Sequence, residues 1–326
     1  MMKCRYILGM FLAALLLLTA GEAQARRRKA RGGHDTLRLL YWNIQNGMWD
    51  GQTDDYQRFT SWVDSLKPDV CVWCEAQSIW VTNSDKAMPK EERQLPARWP
   101  ELAARYGHKY IYVAEHRDNY PQVITSRYPV ENVLRMGGNA DTLVAHGAGW
   151  ARMCVGGQDI NIVTLHTWPM GYAPKAADRT VSAAEHGGDR QRRMEVEYIY
   201  RHTLGSVPEG EKQFWLMMGD FNSRTSLDSY QHHIPAGDSR LCTQDFILEH
   251  TPYIDIIAYR HPKRFFATCG GSRIDFVYAT RPAYDCVTDA RVIRDAYTAQ
   301  VRDPQKLSNF YHPSDHLPIL VDFRLK

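Results

Sequence analysis

Beyond its N-terminal segment, the 326-residue chain lacks any apolar run of the roughly 18 residues a bilayer-spanning helix needs, so no transmembrane anchor is expected there. It also lacks internal repeats, low-complexity tracts and any Pro/Gly/Ser linker, which predicts one large domain. A basic surface is missing as well. The chain has 40 Lys and Arg against 37 Asp and Glu, but the excess is concentrated at the start. Setting aside Lys3, Arg5 and Glu22, then Arg26, Arg27, Arg28, Lys29 and Arg31, leaves 33 against 36. Nonspecific nucleic-acid binding usually requires a basic footprint on the folded domain, so the charge does not favour nucleic acid as a partner, although a local patch stays possible. Nothing in the sequence specifies a protein partner.

Cysteine is scarce: seven in the chain, one of them Cys4. Cys71 and Cys74 form a C-x-x-C in "DVCVWCEA", but this reads as a buried strand, where i and i+3 face opposite ways. Both are expected to be core thiols rather than a disulfide. Cys242 and Cys269 are left as a possible pair in an oxidising compartment.

At the N-terminus, Lys3 and Arg5 precede an apolar run over 6–20, and Ala23-Gln24-Ala25 has the small-x-small form of a secretory cleavage site. This predicts a signal peptide over 1–25, cleaved after Ala25, and export to the periplasm or exterior. No Cys follows that point, which argues against a lipid anchor. Residues 26–35 read as a basic, disordered tail and 36–326 as the folded domain.

Within that domain, apolar segments predict strands at 36–44, 69–76, 109–115, 121–126, 130–136, 148–155, 159–166, 213–218, 274–279, 285–293 and 317–323. Phe59, Trp62, Val63 and Leu66 mark one helix face that Lys67-Pro68 ends, and further helices are predicted at 100–106 and 189–204. Many strands with a few covering helices suggest packed sheets flanked by helices.

Polar residues then stand where strands end: Asn43, Glu75, His166 and Asp220, with Asn222 two residues on, Asp275 in "SRIDFVYA" and Asp315-His316 before the last strand. Singly, each has an explanation as a turn, a cap or a satisfied core group. Together they are hard oxygen donors suited to magnesium, manganese or calcium, with histidines for proton transfer, and with no cysteine near the histidines in sequence that would make a structural zinc site. A divalent ion among acids and histidines is equipment for hydrolysing phosphate esters. In an extended segment Asp220 and Asn222 would point the same way.

The motifs "WNIQNG", "CEAQ", "TLHTWP", "GDFNS", "SRIDFVY" and "SDHLP" resemble, in order and spacing, those of the endonuclease/exonuclease/phosphatase superfamily over residues 36–326. The resemblance implies a four-layered α/β sandwich, two mostly antiparallel sheets packed face to face with flanking helices, and a metal-dependent phosphodiesterase, nuclease or phosphatase. It implies that Glu75, with Asp315, holds Mg2+ (or Mn2+ or Ca2+), and that Asn43 beside them binds the metal or the phosphate. Asp220 would activate water, and Asn222 would steady the phosphate and that aspartate. His316, oriented by Asp275, would contact the phosphate, and His166 would be a second catalytic histidine. Where several members carry an acid, this chain has Gln45, which weakens a second metal. In "DNYPQVITSRYP", any of Asn119, Tyr120 and Gln122 could take the position near the phosphate.

Two long segments leave the strand ends: 77–100 after Glu75 and 168–190 after His166. Both are expected to wall the pocket, with Trp168 and Arg190 as substrate contacts, although Arg190, Arg192 and Arg193 also fit a solvated helix face. The substrate stays open among a small phosphate ester, nucleic acid, and a lipid such as sphingomyelin.

Overall fold

The computed structural model describes residues 35–45, 54–76, 98–114, 120–137, 143–302 and 311–325. The expected signal peptide, the basic tail up to residue 34, Asn119 and most of the 77–100 segment lie outside these residues.

Strands β1 (Thr36–Asn43), β2 (Val70–Cys74), β3 (Tyr110–Val113) and β4 (Val123–Ser126) open one sheet. The second holds β5 (Val130–Met136), β6 (Ala148–Val155), β7 (Gln158–His166), β8 (Trp215–Asp220), β9 (Ile254–Asp255) and β10 (Asp275–Ala279). β11 (Val287–Val292) returns to the first sheet, β12 (Val301–Arg302) and β13 (Tyr311–His312) pair by themselves, and β14 (Ile319–Arg324) completes it. Each main sheet has six strands, in the orders β11-β14-β1-β2-β4-β3 and β5-β6-β7-β8-β10-β9. The main sheets are antiparallel except for one parallel pair each, β1/β2 and β7/β8.

Alternation explains the layering. Leu37, Leu39 and Tyr41 of β1 pack with Val70, Val72 and Cys74 of β2 against Ile160, Ile162, Leu216, Met218 and Val277 of the other sheet. The intervening Leu40, Trp42, Cys71 and Trp73 face outward, under α1 (Gln57–Leu66) and α2 (Trp99–Arg105). Cys71 and Cys74 thus lie in different layers as free, fully buried thiols, as strand geometry requires. Helix α1 buries Phe59, Trp62 and Val63, and it ends where Lys67 turns left-handed (φ 52°) before Pro68.

After β7, α3 (Arg179–Ala184) is capped by Asp178, whose Oδ1 accepts the N–H groups of Thr180 and Val181. α4 (Gly187–His202) and α5 (Cys242–His250) cover the outer face of the second sheet through Val196, Ile199, Phe246 and Ile247. Helices outside two packed sheets make the four-layered α/β sandwich. α3 and α5 lie in segments where no helix was expected. The strand expected at 213–218 runs instead from Trp215 to Asp220, so the acid is itself the last strand residue. Cys242 and Cys269 are free thiols and form no disulfide. No helix among the described residues is long and apolar enough to cross a membrane.

Candidate active site

The two parallel pairs end at the same edge of the sandwich. β1 ends at Asn43 opposite Cys74, and β7 ends at His166 opposite Asp220. Asp275, at the start of antiparallel β10, is the other register partner of Asp220. Directly opposed residues share a face. Since Ile160, Leu216, Met218 and Val277 point between the sheets, the same alternation turns His166, Asp220 and Asp275 into the gap. Tyr41 does the same for Asn43 from the facing sheet. Gly219 permits the close approach of β7 and β8: a Cβ there would sit 2.0 Å from the carbonyl oxygen of Leu165.

Asp220 is the centre of the cluster. Its Oδ2 accepts a hydrogen bond from Asn43 Nδ2 at 3.1 Å and lies 3.7 Å from Nε2 of both His166 and His316. Its Oδ1 accepts the Asn222 backbone N–H at 2.9 Å. The strand stops at Asp220, and Asn222 is left-handed (φ 46°), so the two side chains are not alternate residues of one strand. They are joined by a turn in which the carboxylate caps the backbone two residues on. Asn222 Nδ2 then donates to the Thr167 carbonyl at 3.2 Å, tying the ends of β7 and β8 together.

Asn43 is fully buried. Its Nδ2 also reaches Glu75 Oε1 at 3.2 Å, while its Oδ1 accepts the Gln45 N–H at 3.1 Å. Acids on one side and an N–H on the other leave a single amide orientation that satisfies all partners. Glu75 follows β2 in a left-handed conformation (φ 52°), which carries its side chain to within 4.0 Å of His166 Nε2.

Across the site, His316 Nδ1 lies 2.7 Å from Asp275 Oδ2, and the Tyr41 hydroxyl donates to Asp275 Oδ1 at 2.7 Å. Asp315 Oδ1 is 3.8 Å from His316 Nε2 and is buried without a hydrogen-bond partner. Ser314 donates to the Asn43 carbonyl and accepts the His316 N–H.

Electrostatics separate the groups. Burial, then the neighbouring Asp275, pushes Asp220 up to about 7, against the opposing pull of His316. Asp315 is raised to about 6, chiefly by burial. Burial opposes a charge on His316, yet Asp275 and Asp315 outweigh it and hold its pKa well above the usual value. His166 is pushed well below by burial and by His146 and His316. The surroundings therefore favour the charged form of His316 and the neutral form of His166.

The expected residues Asn43, Glu75, His166, Asp220, Asn222, Asp275, Asp315 and His316 all come to this edge. Trp168 is half-buried beside it, with its N–H on Glu195 Oε2 and its indole N–H on the Tyr172 carbonyl. Arg190 is exposed and engaged with Glu185, and Arg193 pairs with Glu197, the solvated helix face. Arg192 is buried and donates to the carbonyls of Trp168 and Met170. Of the candidates in the "DNYPQVITSRYP" segment, Tyr120 meets His166 edge-on at 6.2 Å, and Gln122 is buried and donates to the His146 carbonyl.

Tyr41, His146, Glu195 and Ser314 went unassigned. Tyr41 shares a strand face with Asn43, so alternation alone could have flagged it. Ser314 lies inside "SDH". His146, whose ring lies 4.6 Å from that of His166, and Glu195, which holds the N–H groups of Ala145 and Trp168, carry no local signal.

A cation fits this edge: ligand atoms of Glu75, His166 and Asp220 lie within 4.8 Å of one another, and Asp315 Oδ1 is buried without a hydrogen-bond partner. Two packed sheets with acids and a histidine pair at one edge define a metal-dependent hydrolase of phosphate esters. The chain belongs to the endonuclease/exonuclease/phosphatase family, whose model matches residues 40–316. Solved structures share the fold at low identity. An AP endonuclease from Archaeoglobus fulgidus is 17% identical, with 89% of this chain and 100% of that one covered at a TM-score of 0.54. A family protein from Bacteroides thetaiotaomicron is 13% identical over 89% and 98%, at 0.53. A Neisseria 3′ phosphatase bound to a product DNA hairpin is 16% identical over 88% and 99%, at 0.52. No curated protein sequence matches the chain.

Proposed function

We propose that the protein is an exported, magnesium-dependent phosphodiesterase or phosphatase acting on small phosphate esters. The observation that carries this reading is the position of Asp220 Oδ2, 3.1 Å from Asn43 Nδ2 and 3.7 Å from the Nε2 atoms of both histidines.

Glu75 and Asp315 would hold the cation. When bound, it supplies charge stabilisation for the phosphoryl oxygens. Asp220 orients the attacking water and takes its proton, and a pKa near 7 suits a general base at neutral pH. Its Oδ1 is pinned by the Asn222 N–H, so Oδ2, which takes the Asn43 amide and faces both histidines, is the oxygen that acts. Asn43, with its Nδ2 turned inward, donates to substrate or Asp220 rather than offering its oxygen to the cation. His316, kept cationic by Asp275, donates from Nε2 to a phosphoryl oxygen. Neutral His166 presents Nε2 beside the leaving oxygen. Trp168 and the segment after it wall the pocket, and the mildly acidic body favours a small substrate over a polyanion.

The test is hydrolysis of bis-p-nitrophenyl phosphate, p-nitrophenyl phosphate, plasmid DNA and sphingomyelin vesicles, each with magnesium, manganese or EDTA, beside Asp220→Ala. Cation-dependent turnover of a nitrophenyl ester, lost in the variant, supports the reading. Turnover of DNA or vesicles alone replaces the substrate class, and silence on all four overturns the proposal.

A further inference from the structure

Cys269 lies far in sequence from any histidine of the site, yet the fold places its thiol against His316. Residues Cys269–Ser272 form a tight hairpin: the Ser272 N–H donates to the Cys269 carbonyl at 2.7 Å, and the Cys269 N–H returns to the Ser272 carbonyl at 2.9 Å. Gly270 and Gly271 are both left-handed (φ 51° and 81°), the conformation such a two-residue turn requires. Cys269 forms an antiparallel bridge with His316, and the Leu317 N–H donates to the Thr268 carbonyl at 2.8 Å. Residues directly opposed across such a bridge share a face. Thr268 Oγ1 accepts the N–H groups of Ile274 and Asp275, so the hairpin that carries this thiol also holds the backbone at Asp275.

The Cys269 thiol interacts electrostatically with the His316 imidazole. One ligand atom each from Cys269, Asp315 and His316 falls within 4.8 Å of the others. Asp315 Oδ1 is buried without a hydrogen-bond partner. Cys269 is only half-buried, which leaves a route for an ion.

We propose that Cys269, Asp315 and His316 form a binding site for a thiophilic divalent cation of the zinc class, and that its occupation inhibits the enzyme by capturing His316. A thiolate, an imidazole and a carboxylate make a three-ligand zinc set with a fourth position open, whereas magnesium prefers oxygen donors alone. Zn–S and Zn–N bonds of about 2.3 and 2.0 Å need the donors roughly 3.5 Å apart, and the ligand atoms here already lie within 4.8 Å of one another. Binding forms a metal–sulfur and a metal–nitrogen bond and releases to solvent both the thiol proton and the Nε2 proton of His316, whose Nδ1–H stays on Asp275. The site stands on this geometry, while the inhibition rests on the proposed role of His316.

The test uses Co2+ as a spectroscopic substitute for zinc, titrated into the metal-free full chain, Cys269→Ser and Glu75→Ala. A thiolate-to-cobalt charge-transfer band is expected in the wild type and in Glu75→Ala, and its absence in Cys269→Ser. No band in the wild type, or a band surviving in a Cys269→Ser protein of unchanged circular dichroism, overturns the site. Asp315→Asn keeps the thiol and should keep the band while weakening cobalt binding about tenfold or more. With magnesium present, zinc should inhibit the wild type at concentrations about tenfold or more below those for Cys269→Ser, each measured against its own zinc-free rate. Equal sensitivity overturns the inhibitory role. If no substrate is turned over at all, the proposed function fails and the cobalt band still decides the site.

Discussion

His316 Nδ1 lies 2.7 Å from Oδ2 of Asp275, a carboxylate with no solvent exposure whose other oxygen accepts the Tyr41 hydroxyl. The pair fixes the imidazole ring, directs Nε2 toward Asp220 and keeps the ring charged. Asp275→Asn should lower kcat/KM by about 100-fold or more, the scale of a lost acid–base group. Asp275 raises the pKa of His316, so its loss lets the ring deprotonate sooner. The alkaline limb of the kcat/KM profile should therefore move to lower pH. An unshifted limb would show that His316 does not need this partner.

Cation binding should depend on pH with a definite sign. Burial raises Asp220 to about 7 and Asp315 to about 6, so both hold protons in the metal-free protein at mildly acidic pH. A cation must displace them, so its affinity grows as pH rises through that range. Magnesium should raise the melting temperature more at pH 8 than at pH 6, and EDTA should reverse it. Equal shifts at the two pH values would refute this.

Glu195 is fully buried, and burial raises it to about 7 although the N–H groups of Ala145 and Trp168 pull the other way. A carboxyl with a raised folded-state pKa contributes stability below its unfolded pKa near 4.5, and this is lost as pH rises to about 7. Glu195→Gln does not titrate. Its stability relative to the wild type should grow by about 3 kcal/mol between pH 4.5 and 7.5. Urea melts at the two pH values measure it, and a constant difference would sink the prediction.

Gly219→Ala should destabilise the protein by about 3 kcal/mol, because the added methyl meets backbone that cannot rotate away. The strain falls between β7 and β8, so the His166–Asp220 spacing should suffer and activity should fall with stability. A variant that melts normally would show that the strands part freely.

Much of the site was legible because strand alternation is local: residues two apart share a face whatever the rest of the chain does. Asn43, His166 and Asp220 could be placed at strand ends from their own neighbours. The Asp220–Asn222 relationship was misread for the same reason, since alternation was carried one turn past the strand. Helix α5 was missed because its buried face is partly polar, with Thr243 and Gln244 beside Phe246 and Ile247. The proposed pairing of Cys242 with Cys269 failed because one thiol packs against the Asp189 carbonyl of α4 and the other against His316.

The sequence by itself determined which chemical groups stand at the strand ends, which residues of a strand share a face, and the family to which the motifs point. Tertiary structure alone decided that Tyr41 donates to Asp275, that His146 packs on His166, and that Cys269 joins Asp315 and His316. Those relationships cross between strands and loops far apart in the chain. They depend on sheet order and register, which no local period encodes.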